Sequence, residues 1–319
     1  MKSITSLMSN FKNAQKDFGN KIAFWISLND IGRRFNFSKQ YVAAKKHAII
    51  KDYLRSKYAK IIQNIKSQQQ VIDTKIEDTS PIWICWWDGE EQMPALTRAC
   101  YQSVCKYANK QPVILITKYN YQEYVTIPAE ITEKVKSKLI TLTHFSDILR
   151  MCLLYENGGI WLDATIYLTQ DLPSYAQKNF TTIKHPPSGT FVSNCLWSGF
   201  CIGGGKHHPL FTFMRAMLFD YWKKETSLID YYLIDYLISL AYEQLPSVNQ
   251  SIQGVPHNNI QLYALQQNLN NAFDNTLLDE YTSDTFIHKL RWKGQLSTKT
   301  EDGKPTFYGH ILSRYTDQN

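Results

Sequence analysis

From Pro81 onward the chain alternates short apolar runs with amphipathic stretches of helical length, and this alternation restricts the fold more than any other feature. IWICWW (82–87) is a continuous apolar run of strand length, PALTRACYQSVCKYA (94–108) has helical spacing, and PVILITK (112–118) is a second apolar run. Runs that are apolar on both faces and separated by a helix predict βαβ units, hence an α/β fold with a mainly parallel sheet flanked by helices. The sequence contains no internal repeat and no long low-complexity segment.

SDILRMCLLYENGGIWLDATIYL (146–168) fits the same scheme. Ser146 is a good N-cap, Asp147 suits the positive end of a helix, and Ile148, Cys152 and Tyr155 share one face. Gly158-Gly159 predicts the helix end, because the left-handed backbone that closes a helix strains other residues. IWLDATIYL then reads as one strand carrying Asp163. A carboxylate buried there requires a partner. Either it satisfies turn amides at a strand end, or it faces the ligand crevice that open α/β sheets form at the carboxyl ends of their strands.

Residues 1–79 differ in character. Residues 1–80 hold 15 Lys/Arg and 6 Asp/Glu, and the remainder 20 and 22, so the net charge of +7 originates in this quarter. Between Ser38 and Gln70, Ile50, Leu54, Tyr58, Ile61 and Ile65 form a helical stripe, with Lys45, Lys46, Lys51, Arg55, Lys57 and Lys60 on the opposite face. Two readings stand with equal weight: a basic arm lying on an anionic membrane surface, or a helix packed on the main domain with a solvated basic side. The composition shifts at DTKIEDTSP (73–81), so we set a basic helical region at 1–79 and an α/β domain at 80–319. The opening residues lack a signal-peptide pattern, and the uncharged run from Pro186 to Gly205 is broken by prolines and glycines. Six cysteines without CxxC spacing read as reduced core thiols. Together these features predict a cytoplasmic location, with the inner face of the cell membrane as the peripheral alternative.

The run S-D-x-x-R-x-x-x-L-x-x-x-G-G-I-W-L-D-x-T over 146–165 resembles the donor-binding signature of the capsular polysaccharide synthesis family. That family is related to the glycosyltransferases with a DXD-containing sugar-binding region. The likeness continues more loosely from Ile82 to about Lys293, and the first 80 residues add little to it. It implies a GT-A-like, Rossmann-type domain that moves a sugar, with retention, from a nucleotide donor, a UDP-sugar, to a surface polysaccharide or lipid-linked acceptor.

The resemblance also implies roles. Asp147 and Arg150 would hold hydroxyls of the donor sugar, while Asp163 would contact ribose or sugar and help to bind Mn2+ or Mg2+. The second acidic position is Thr165, a poorer cation ligand, and His288 in FIHKLRWK (286–293) would either complete the set or bind a β-phosphate oxygen. Trp292 and Lys293 would close over the diphosphate. Trp86 or its neighbour Trp87 would stack on uracil, with Trp86 preferred. Asp235 would stabilise an oxocarbenium-like transition state or act as nucleophile, with Asp230 as the alternative; either could instead form a cap or pair with Lys223 and Lys224. His207 and His208 read as structural. GFCIGGGKHHP (199–209) is not a phosphate loop, because His207 stands where Ser or Thr should follow the lysine. A catalytically idle sugar-nucleotide binder or scaffold is the rival suggested by Thr165. No nucleic-acid-binding motif accompanies the basic region.

Overall fold

The computed structural model describes residues 4–35, 39–68, 74–175, 177–185 and 190–316. Ser38, Gln69, Gln70, Asp73 and residues 186–189, which enter the expectations above, lie outside the described residues.

The predicted strands form, and the helix between them crosses over as expected. β1 (Ile82–Cys85) pairs in parallel with β2 (Val113–Ile116) and with β3 (Gly159–Leu162). β6 (Cys201–Gly204) runs antiparallel to β3, and β5 (Phe180–Thr182) antiparallel to β6, giving the order β2-β1-β3-β6-β5. Four strands therefore point one way and β6 alone the other, a mostly parallel sheet with β3 at its centre. The carboxyl ends of β1 and β3 emerge on one edge, and the chain enters β6 at that same edge, with Cys201 opposite Leu162.

IWLDATIYL is not one strand. β3 ends at Leu162, residues 163–165 turn, and β4 (Ile166–Leu168) pairs with β7 (Ile287–Lys289) in a separate two-stranded sheet. The Ile166 amide donates to the Asp163 carbonyl across this turn (2.9 Å). Two apolar runs only three residues apart conceal such a corner, because both strands are fully buried. The turn moves Asp163 from a strand interior to the carboxyl end of the central strand.

The helix before β3 spans Leu142–Asn157 and starts earlier than its sequence suggests. Thr141 is the N-cap, its hydroxyl accepting from the His144 amide, which places Ser146 and Asp147 in the second turn. Gly158 and Gly159 close it at φ 68° and 96°. At Gly159 a Cβ would lie 2.2 Å from the Pro81 carbonyl oxygen, so glycine is required by the close approach of β1 as well as by conformation.

The N-terminal helices share the main core. Ile50, Leu54, Tyr58 and Ile62 pack in one cluster with Leu149, Leu218, Trp222 and Leu237. Each large side chain so buried contributes about 1.5–3 kcal/mol, which holds the Lys39–Lys57 and Ala59–Gln68 helices against the domain. The basic face is accordingly not a free one. Lys46 pairs with Asp230 (2.8 Å), Lys51 with Glu243 (2.6 Å), Arg55 with Glu243 (2.7 Å) and Lys57 with Glu225 (2.5 Å); Lys45 and Lys60 stay exposed. Among the described residues no helix is long and apolar enough to cross a membrane. None of the six cysteines is disulfide-bonded, and Cys105 is exposed rather than in the core.

Candidate active site

Asp163 is the focus of the open edge. Its amide donates to the Phe200 carbonyl (2.9 Å), tying the end of β3 to the segment that enters β6. Trp161, two residues earlier and so on the same strand face, donates its indole N–H to Asp163 Oδ1 (2.9 Å). Arg150 reaches the same oxygen from the Leu142–Asn157 helix (3.2 Å), its guanidinium 5.0 Å from the Trp161 ring centroid. Lys289 donates to Oδ2 (2.8 Å). Burial alone would push the Asp163 carboxyl up, but the charges of Lys289 and Arg150 and the donated hydrogen bonds outweigh it, holding the group well below the usual carboxylate range. The ionised carboxylate keeps 30% of its side-chain surface exposed while Arg150 keeps 7%, so the acid faces solvent and the base braces it from beneath.

Asp147 stands one turn before Arg150, its Oδ1 3.2 Å from the same guanidinium nitrogen. Its other oxygen lies 3.5 Å from His144 Nδ1. The Trp222 indole, which can only donate, gives its hydrogen to His144 Nε2 (3.0 Å). Nε2 is therefore the acceptor, and the proton of the neutral ring sits on Nδ1, facing Asp147.

The two candidate catalytic carboxylates have different surroundings. Asp230 precedes the Leu233–Gln244 helix, accepts from the Tyr232 amide (2.9 Å) and is paired with Lys46, with 9% and 6% of their side chains exposed. Its partner is thus neither Lys223 nor Lys224; the latter pairs with Asp220. Asp235 lies in the first turn of that helix and accepts from the Trp197 indole (2.9 Å). Burial pushes its carboxyl up to about 6 against the pull of Trp197, and the nearby Asp147 charge adds to the rise. It lines a cavity of about 430 Å³ with Lys46, His47, Thr190, Ser193 and Tyr232. Gly199 lets this helix approach the site, since a Cβ there would lie 3.1 Å from Arg150 Nη1 and 3.2 Å from Ile234 Cδ1.

Trp86 follows β1 on the same edge, half-buried, its ring centroid 6.2 Å from that of Trp292 in an edge-to-face contact. Trp87 instead packs between Tyr121 and Phe145 against the main core. Lys293 is exposed, with its ammonium 5.2 Å from the centre of the Trp292 ring. His208 caps the Pro209–Lys224 helix by accepting from the Leu210 amide, a structural place as expected.

The cation ligands inferred from the signature do not converge. His288 is fully buried and lies opposite Tyr167 in the β4–β7 pair, on the strand face away from Lys289, and burial lowers its pKa to about 4. Thr165 Oγ1 accepts from Lys289 (2.8 Å), which also occupies Asp163 Oδ2. Among the described residues no group of three His, Cys, Asp or Glu is gathered about one point. Asp163, Thr165 and His288 as placed therefore do not fit one divalent ion.

Four residues of this edge were not singled out from sequence: His144, Trp161, Trp197 and Lys289. Trp161 was accessible through strand period, being two positions from Asp163. Lys289 adjoins His288, and only the β4–β7 register decides which of the two faces the site. His144 and Trp197 carry no local signal, because their partners are remote in sequence.

No match is found among curated proteins. Among solved structures the chain is similar to one described as "PaToxG Glycosyltransferase", at 14% identity and TM-score 0.37, covering 76% of this chain and 100% of that one. A second, "WbbM bifunctional glycosytransferase apo structure", shows 10% identity and TM-score 0.39, covering 78% of this chain and 51% of that one. A family model described as capsular polysaccharide synthesis protein spans residues 33–311, taking in most of the helical region that the sequence signature left aside as well as the whole open edge, and the chain belongs to that family.

Proposed function

We propose that this protein is a retaining glycosyltransferase of GT-A type that moves a sugar from a UDP-linked donor to a surface polysaccharide or lipid-linked acceptor. The observation that carries the reading is the Asp147–Arg150–Asp163 chain, one guanidinium shared by two carboxylates at the carboxyl end of the central strand, with the outer carboxylate open to solvent. Such an array suits a polyhydroxylated ring. The fixed, ionised Asp163 accepts hydroxyl hydrogens, and Asp147, paired with the same guanidinium, accepts a second set. Trp86 is the base platform, worth about 1–3 kcal/mol by stacking, and Trp292 and Lys293 flank the diphosphate.

In transfer, the bond from the anomeric carbon to the diphosphate oxygen breaks and its electron pair leaves with the diphosphate. The acceptor hydroxyl oxygen bonds to that carbon, and its proton passes to the departing phosphate. Asp235 is the carboxylate for the positive charge that develops on the sugar, because its fixed partner is the neutral Trp197 indole, whereas the charge of Asp230 is taken up by Lys46. The cavity that Asp235 lines, walled by Lys46 and His47 of the helical region, is the acceptor side; the reading uses this region as part of the enzyme rather than as a membrane arm.

Thermal shift across a panel of nucleotide sugars tests the proposal, since a ligand bound only by the native state raises the melting temperature. A UDP-sugar should raise it, and mass spectrometry of the mixture with acceptor should show the added hexose. No shift with any nucleotide sugar would refute the reading.

A further inference from the structure

Lys289 stands against Asp163 and Thr165, the two side chains to which the sequence resemblance assigned a divalent ion. The β4–β7 register sets Lys289 opposite Ile166, and the Leu290 amide donates to the Thr165 carbonyl (2.9 Å), so strand and turn are fixed to each other. From there the ammonium donates to Asp163 Oδ2 and to Thr165 Oγ1, both at 2.8 Å, thereby engaging both side chains of the D-x-T pair. It lies 4.9 Å from the centre of the Phe200 ring and keeps 21% of its side chain exposed. An ammonium has three N–H donors. Two are taken by this pair, and among the described residues the third is left for an anion arriving from solvent.

The charges agree with that assignment. Arg150 stands between the Asp147 and Asp163 carboxylates and Lys289 adds a second cation on Asp163, so neither D-x-T side chain offers an uncompensated charge to a divalent ion. Mg2+ and Mn2+ favour carboxylate oxygens, and here one carboxylate already accepts from Arg150, Trp161 and Lys289 while its companion is a neutral hydroxyl.

We infer that Lys289 is the built-in cation for the donor diphosphate, and that this protein binds its nucleotide without a divalent metal ion. The inference rests on the nucleotide-sugar reading above and specifies how that site holds phosphate. Calorimetric titration of the full chain with UDP, in EDTA and in Mn2+, tests it. The dissociation constants should agree within about 2-fold, and electron paramagnetic resonance should find no Mn2+ bound by the protein alone. Lys289→Gln should weaken UDP at least about 10-fold while uridine binds as before, and Lys289→Arg should recover most of the loss with an unchanged melting temperature. Lys289→Gln combined with Thr165→Asp, which restores two carboxylates, should bind UDP again only when Mn2+ is present. UDP binding to the native chain that vanishes in EDTA and returns with Mn2+ would overturn the inference while leaving the transferase reading intact, as would UDP affinity unaffected by Lys289→Gln. Absence of UDP binding under either condition would remove both.

Discussion

Asp235→Asn separates the stability of the fold from the chemistry assigned to it. Burial pushes the Asp235 carboxyl from its ordinary 3.8 to about 6 despite the hydrogen bond from Trp197. Each pH unit of displacement corresponds to about 1.4 kcal/mol, so the ionised carboxylate costs the fold about 3 kcal/mol at pH 8. The sign follows from proton counting. Between the two pKa values the native chain binds the proton more tightly than the unfolded one, so stability falls as pH rises through this window and levels off above about pH 7. The penalty is about half as large at pH 5 and vanishes below the 3.8 of the unfolded chain. Asparagine keeps the oxygen that accepts from Trp197 and carries no charge. With an unfolding entropy of about 2.1 cal/mol/K per residue over 319 residues, relief of 3 kcal/mol raises the melting temperature by about 4 °C. Scanning fluorimetry should show Asp235→Asn more stable than the native chain at pH 8, with the gain roughly halved at pH 5, while sugar transfer drops at least about 100-fold. A gain of equal size at both pH values, or a loss of stability at pH 8, would refute the electrostatic reasoning. Undiminished transfer would remove Asp235 from the chemistry.

Lys46→Met should lower stability by about 3–5 kcal/mol, because it leaves the Asp230 carboxylate buried without its cation. Adding Asp230→Asn should recover much of this in denaturant titrations, whereas a surface arm would tolerate the single change. The adjacent tryptophans should divide by role. Trp86→Ala should weaken UDP binding about 5- to 150-fold in calorimetry, the equivalent of 1–3 kcal/mol. Trp87→Ala, which removes a half-buried ring packed between Tyr121 and Phe145, should instead lower stability by about 2 kcal/mol.

The sheet was legible because buried parallel strands are apolar on both faces and so stand out as uninterrupted runs such as IWICWW. The same property hid the corner at residues 163–165, where two such runs abut and Asp163 and Thr165, the polar residues that mark the change of sheet, read as functional groups within one strand. Gly158-Gly159 located the end of the helix by conformation, but its start lies at Thr141 rather than Ser146, since several residues in TLTHFSD suit a cap and only the geometry selects one. The sequence divided the chain near residue 80 by charge; contacts between Lys46 and Asp230 or between Lys51 and Glu243 span nearly 200 residues and leave no local trace. The pairing of Asp147, Arg150 and Asp163 was foreseeable because helix, glycine turn and strand are contiguous. Lys289 was not, for it arrives across a register that sequence alone does not fix.

The charge on Asp163 is the central element of the site, and Asp163→Asn removes it while keeping the side-chain shape and the acceptor for Trp161. The decisive measurement is the rate of UDP release from the UDP-sugar selected by the thermal-shift panel, followed alongside the melting temperature. A fall of at least about 100-fold in a protein that still unfolds cooperatively is the expected result. Release at the native rate would contradict the assignment of this edge as the active site.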